Sequence, residues 1–395
     1  MEGYSVVRNM WLKFWNSSKG TFISPVPCSG VYGQEGKFNV WSMSVGVQAI
    51  VDGARLYPQE LGPLVKPAVD AMMRYKSPQY KGFCAAENFG GNKDIYYDDD
   101  AQVAQALITA YEATGYKPYL DEGRELVRFL MGGWNQDDDV LKGGMLWHIE
   151  RLYVNACTTA ECAKAALALA KCIPSESSYY VEFAARCIRW QIDFLQDKGD
   201  KLIKDGCDRG STSVNDTKWS YNTGTTISAA ALLYSFTKDE TWKQICDELV
   251  GAAIDTNTTL FDRDYGDHEK RYWRDPSYFI QLLFEGLADY VLVFGEDATH
   301  SERIKYQIHR HLVLFHKYMY DDKDGLYFMT FEPHRIPEKY ELYRKEIGDK
   351  GCGVFGEDRQ GGDGNPEDRP SCKTLIGSGS AARIWFQGTR VVTSM

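Results

Sequence analysis

The sequence predicts an all-α protein: twelve helices arranged as six antiparallel hairpins and closed into a double ring, an (α/α)6 barrel. Three observations predict it. Apolar residues recur at helical spacing along nearly the whole chain, while alternating strand patterns are scarce. The helical stripes number twelve, enough for six hairpins. No motif repeats at a fixed period, so an open solenoid is disfavoured and ring closure is the remaining way to bury every pair. With 395 residues, 44% hydrophobic and 13% aromatic, the chain carries ample material for a large core. A barrel of this kind accounts for residues 1–395 as a single domain.

The elements follow in order. The first stripe runs from Tyr4 to Asn16, with Val7, Trp11, Phe14 and Trp15 on one face. The second covers Trp41 to Arg55 and the third Leu61 to Tyr75. The fourth starts at Asp98, carries Val103, Leu107 and Tyr111 at four-residue spacing, and stops at Gly115. The fifth is Tyr119 to Met131. A sixth opens at Thr158, where Thr158 and Glu161 have the spacing of a capping box. The seventh, eighth and ninth span Ser178 to Leu195, Thr223 to Tyr234 and Glu240 to Ala253. Pro276 suits the first turn of a tenth helix ending at Phe294. The eleventh lies at Glu302 to Tyr318 and the twelfth at Ser371 to Phe386. Two stretches break the rhythm: Tyr318 to Thr330 reads as a hairpin turning at Asp324-Gly325, and residues 346–370 read as a long loop. An incomplete calcium loop is the rival for the first, with Lys323 at a ligand position.

Net charge is −10 and no basic cluster occurs, which argues against nucleic acid and leaves a carbohydrate or other small molecule as the partner. No apolar run approaches the ~20 residues of a bilayer span. The first residues lack an unbroken apolar segment of signal-peptide type, so a cytoplasmic location is expected, or a secreted one if the N-terminus was trimmed. The ten cysteines form no CxxC pair and read mostly as reduced thiols. Neither Cys nor His falls at metal-ligand spacing, so no metal or other cofactor is expected. Sequons stand at Asn16, Asn215 and Asn257.

In an up-and-down double ring all even-numbered helices point the same way, so their N-termini share one rim. The segments entering them are rich in aromatics, carboxylates and amides: Asp94-Ile-Tyr-Tyr-Asp-Asp-Asp100, Gly143 to Trp147, Leu152 to Asn155, and Trp219 to Gly224. Three successive aspartates at a helix start repel one another, partly offset by the helix dipole. The same triplet at Asp137 to Asp139 sits in a polar loop and reads as solvated surface. Asp98 to Asp100 instead follow Tyr96-Tyr97 and precede a buried stripe. Crowded carboxyls in a partly dry cleft acquire separated proton affinities, which is what a glycosidase requires of its nucleophile and its acid. Trp147 and Tyr221 suit the C–H faces of sugar rings, and Asn155 and Asn222 suit hydroxyls.

Tyr96-Tyr-Asp-Asp99, Gly143-Gly-x-x-Trp147 with Tyr153-Val-Asn-Ala156, and Trp219-Ser-Tyr-Asn-Thr-Gly224 resemble, in order and spacing, three motifs of glycoside hydrolase family 76, the α-1,6-mannanases. The resemblance covers about residues 41 to 236. It implies a retaining mechanism with Asp98 as nucleophile and Asp99 as general acid/base. It also implies a sugar site shaped by Tyr97, Trp147, Asn155, Tyr221 and Asn222; Asp100 and Trp219, in the same segments, are further candidates for substrate binding. The chain departs from that pattern at Gln102 and Leu146, where the family commonly has Trp, and over Ser277 to Leu292. Two other functions stay open at this level: acid/base isomerisation or cyclisation of a small metabolite on the same barrel, and carbohydrate binding without catalysis.

Overall fold

The computed structural model describes residues 1–28, 31–32, 35–87, 93–353, 359–361, 365 and 369–392. Among them are thirteen α-helices. Six form the inner ring: α2 (Val40–Leu56), α4 (Tyr97–Thr114), α6 (Ala156–Cys172), α8 (Ser220–Thr237), α10 (Ser277–Phe294) and α13 (Leu375–Thr389). Each packs on the next, and α13 returns to α2, so the ring closes. The outer helices are α1 (Glu2–Phe14), α3 (Gly62–Met73), α5 (Lys117–Met131), α7 (Ser177–Leu195), α9 (Glu240–Ala253) and α11 (Ser301–Leu314), each seated against its inner neighbours. The double ring of six hairpins is as the sequence predicts.

The two rings differ because their sequences differ. The inner α6, ACTTAECAKAALALAKC, is buried almost all round, and its alanines let neighbouring helices approach on every side. The outer α5 buries only the stripe Tyr119, Leu120, Gly123, Leu126, Val127 and Leu130. Where α8 meets α10 the backbones nearly touch: a Cβ on Gly286 would lie 2.1 Å from the Gly224 carbonyl oxygen. No other residue fits there.

Several expectations need correction. The sixth helix starts at Ala156, not Thr158; its cap is Asn155, whose Oδ1 accepts the Thr158 amide. Glu161 accepts from Gln105 and Thr225 instead of closing a capping box. The tenth helix begins at Ser277 with Pro276 as its cap. By length and composition α10 is apolar enough to cross a membrane, which the scan for uninterrupted apolar runs did not register. Glu285 and Asp289 interrupt the run, and in the ring they meet Lys164, Arg383 and Arg390. Cys28 and Cys372 form a disulfide, whereas Cys157, Cys162, Cys187 and Cys246 are buried thiols inside helices. Asp138 is buried, with the amides of Val140, Leu141 and Gly210 bound to it, so this part of the second Asp triplet is a loop clamp, not solvated surface.

The hairpin is present: Tyr320–Asp321 pairs with Leu326–Tyr327, and Gly325 takes the left-handed φ of +67° at the turn. Before the 346–370 loop comes an extra helix, α12 (Pro337–Glu346), which buries only Tyr343 and therefore showed no apolar stripe. Residues 354–358, 362–364 and 366–368 of that loop lie outside the described ones. Its described Gln360 and Gly361 attach to the segment at Pro27 and Cys28, and none of its described residues lines the cavity below.

Candidate active site

The N-termini of α2, α4, α6, α8 and α10 surround a cavity of about 740 Å³. The geometry that brings the carboxylates there begins with backbone pairing. Gly144 takes φ +80°, and a Cβ on it would lie 2.4 Å from Val154 Cγ1 and 2.5 Å from the Trp190 ring. This tight corner sends Met145 to His148 alongside Tyr96 and Tyr97: Tyr96 bridges His148, and the Tyr97 amide donates to the Trp147 carbonyl over 2.9 Å. Tyr153–Asn155 then pairs antiparallel with Gly206–Asp208, adding the loop before α8 to the wall.

On a helix successive residues turn by about 100°, and this divides Tyr97 to Asp100 between two faces. Asp98 and Asp99 line the cavity. Tyr97 and Asp100, three apart, face the outer ring: Tyr97 stacks on Phe129 at 5.4 Å, and both Asp100 oxygens accept the Phe83 amide at 3.1 Å. Trp147, Asn155, Trp219 and Tyr221 also line the cavity, while Asn222 is fully buried outside its lining. Tyr97, Asp100 and Asn222 therefore stand behind the cavity lining in this structure.

The two cavity aspartates have different surroundings. Asp98 Oδ1 accepts the Asp99 amide at 3.0 Å, and Oδ2 accepts the Trp147 indole N–H at 3.0 Å. Among the described residues nothing donates a hydrogen bond to the Asp99 carboxyl. Burial raises Asp98 to about 7, although these hydrogen bonds pull the other way. Burial also pushes Asp99 well above the carboxylate range, and the charges of Asp98, Asp100 and Asp94 push it further. The arrangement favours an anionic Asp98 beside a protonated Asp99. Asp100 is also raised by burial, held in part by the Phe83 amide.

The walls are aromatic. Tyr96 and Trp147 pack at 4.9 Å, with the Arg151 guanidinium 5.3 Å from each ring centroid. Opposite them Tyr221 stacks on Phe279 at 4.1 Å, and Trp219 and Trp41 approach the same Phe279 at 5.5 and 6.2 Å. Asn155 reaches the cavity but its oxygen is engaged in capping α6. Asp205, which sequence reasoning missed, accepts from Tyr153 Oη at 2.7 Å and Asn215 Nδ2 at 3.3 Å on the cavity wall. Phe279, Gln102, Cys157 and Asp94 were missed too. Phe279 had a signal, because it stands in the first turn of an even-numbered helix; Asp205 had none, because its placement depends on the pairing with residues 153–155. Among the described residues no group of His, Cys, Asp and Glu is arranged to hold a metal.

A closed double ring of six hairpins with two differently held carboxyls in an aromatic cavity is the arrangement of a glycoside hydrolase-like enzyme. The chain belongs to glycosyl hydrolase family 76, whose family model matches residues 2–307. It is 32% identical to the meiotically up-regulated gene 191 protein of Schizosaccharomyces pombe over 99% of this chain and 92% of that one. It is 31% identical to the mannan endo-1,6-alpha-mannosidase DFG5 of Candida albicans over 40% of this chain and 38% of that one. Among solved structures, a family 76 mannosidase of Bacteroides thetaiotaomicron superposes with a TM-score of 0.72 at 16% identity, covering 99% of this chain and 97% of that one. An inactive variant of an α-1,6-mannanase of Salegentibacter sp., in complex with α-1,6-mannotriose, superposes with a TM-score of 0.70 at 16% identity, covering 98% of each chain.

Proposed function

We propose that this chain is a retaining glycoside hydrolase or transglycosylase acting on α-mannosides of the 1,6-linked type. The observation that carries the reading is the asymmetry of the two cavity carboxyls: Asp98 is held by two N–H donors, and Asp99 is surrounded by negative charge without a donor. In the first step Asp98 attacks the anomeric carbon while Asp99 gives its proton to the departing glycosidic oxygen. The product is a glycosyl ester of Asp98 and an anionic Asp99. In the second step Asp99 takes a proton from water, or from the hydroxyl of an acceptor sugar, and that oxygen displaces Asp98 from the anomeric carbon. Water gives hydrolysis and a sugar hydroxyl gives transfer. The Tyr96/Trp147 and Tyr221/Phe279 walls offer ring faces for stacking, and Asp205 offers an acceptor for sugar hydroxyls.

The relatives that carry the mannan endo-1,6-alpha-mannosidase name support the linkage. The test is product analysis on α-1,6-mannan oligosaccharides. The expected result is shortened or transferred oligosaccharides with retained anomeric configuration, abolished in both Asp98→Asn and Asp99→Asn. Intact oligosaccharides with the folded wild-type chain, under hydrolytic and acceptor-rich conditions alike, would overturn the reading.

A further inference from the structure

Glu161 lies on α6 four residues after Cys157, which lines the cavity, and so about one 5.4 Å turn deeper in the barrel. Its side chain is fully buried. Both its oxygens accept hydrogen bonds from neutral groups: Gln105 Nε2 at 2.5 Å and Thr225 Oγ1 at 3.3 Å. Among the described residues no cationic nitrogen lies within 4.0 Å of it. Below it the charges alternate: Lys164 to Glu285 at 2.8 Å, Glu285 to Arg383 at 3.3 Å, and Arg383 to Asp52 at 3.2 Å. Glu161 is thus the anion at the cavity end of a buried charge column. A carboxylate buried among neutral donors carries a desolvation cost, and nearby carboxylates add repulsion. A glutamine would fill the same space and still bridge Gln105 and Thr225. Only the charge would be missing.

We propose that Glu161 is a positioning residue that acts through Asp98: its buried charge holds a proton on the Asp98/Asp99 pair, and Lys164 beneath it limits that hold. The inference rests on reading Asp98 and Asp99 as the reacting pair. Burial is the largest force raising Asp98, hydrogen bonds oppose it, and the Glu161 charge adds to it. Burial lowers Lys164, but Glu285 and then the same Glu161 charge raise it. The other titratable groups facing the pair are Asp94 and Asp100 around the start of α4, and Cys157 and Cys162 on α6. Tyr96 before α4, Tyr221 on α8, Tyr153 on and Asp205 just before the paired strands, and Asp275 before α10 also face it. The contribution of α2 to the cavity, Asn39 and Trp41, is uncharged. The Arg151 guanidinium lies over the Tyr96 and Trp147 rings on the cavity wall, and Lys164 is the counterweight on α6.

The test is an infrared pH titration of protonated carboxyl groups in the full chain, with the Asp98→Asn/Asp99→Asn double variant identifying the band of the pair. Glu161→Gln is expected to move the midpoint of that band down by about one pH unit, a tenfold loss of proton affinity. Lys164→Gln is expected to move it up. The titration needs no substrate, so it remains decisive even if the mannoside reaction is wrong; where activity is present, the pH profile of kcat shifts in the same directions with KM little changed. An unmoved midpoint in folded Glu161→Gln overturns the inference. If that variant does not fold, an unmoved or lowered midpoint in Lys164→Gln does so.

Discussion

The barrel axis carries two sets of charges, one at each end, and they are built on opposite rules. At the mouth, Asp98, Asp99 and Asp100 are three carboxyls with no cation against them among the described residues, and burial raises all three. At the far end, Glu285 lies between Lys164 and Arg383, Arg383 also meets Asp52, and Arg390 meets Asp289. Burial raises Glu285 as well, but the two cations outweigh it and leave it at about 2. The lower set is neutralised and ties four inner helices together. The upper set is left unneutralised where a cavity gives it access to a ligand. Burial of charge alone does not mark a functional site; burial without a counter-charge, beside a cavity, does.

The sharpest way to break this comparison is to remove one carboxylate from the upper set. Asp99→Asn should reduce turnover by about 10³-fold or more, the scale of a lost general acid, while the fold is kept. Turnover on mannan oligosaccharides and a thermal melt check both halves. In the lower set the opposite split is expected. Arg383→Met leaves Glu285 and Asp52 without that partner and should destabilise the fold by about 3 to 5 kcal/mol, read by denaturant unfolding. Activity per folded molecule should persist.

pH separates the two ends by sign. Asp98 is raised to about 7 from an unfolded value near 3.9, so its contribution to stability is full below about 3.9 and is lost as pH rises through about 7. Glu285 is lowered to about 2 from an unfolded value near 4.3, so its contribution is present above about 4.3 and is lost as pH falls through about 2. Melting curves from acid to alkaline pH should therefore show two flanks, and Asp98→Asn should flatten only the alkaline one. The smallest expected effect is at Trp147. Trp147→Phe keeps the ring but removes the N–H that pulls Asp98 down, so kcat should fall by about tenfold and its pH profile should move upward.

The ring was legible in the sequence because the inner and outer helices both leave an apolar record, one nearly continuous and the other striped. The helix α12 was not, since it buries one residue. At the site, the common rim of the even-numbered helices led directly to Asp98, Asp99, Trp147, Trp219 and Tyr221. It failed where adjacency in sequence was taken for adjacency in space: Tyr97 and Asp100 share a motif with the cavity aspartates but lie on the other face of α4. Asp205 was hidden for a different reason. It sits in a link without helical period, and its position follows from Gly206, where a Cβ would lie 2.3 Å from the Val154 carbonyl oxygen. Pairings of that kind are long-range facts, written in no local pattern.

The contact of α13 with α2 has a consequence for how the protein is made. A chain emerging from the ribosome can stack its first eleven inner and outer helices one after another, yet α2 keeps an uncovered flank until α13 arrives. Loss of α13 would thus leave an open horseshoe whose exposed edge is apolar at both ends. Such a truncated chain should be captured by chaperones or aggregate, and the docking of α13, not the folding of any one hairpin, becomes the step that commits the molecule.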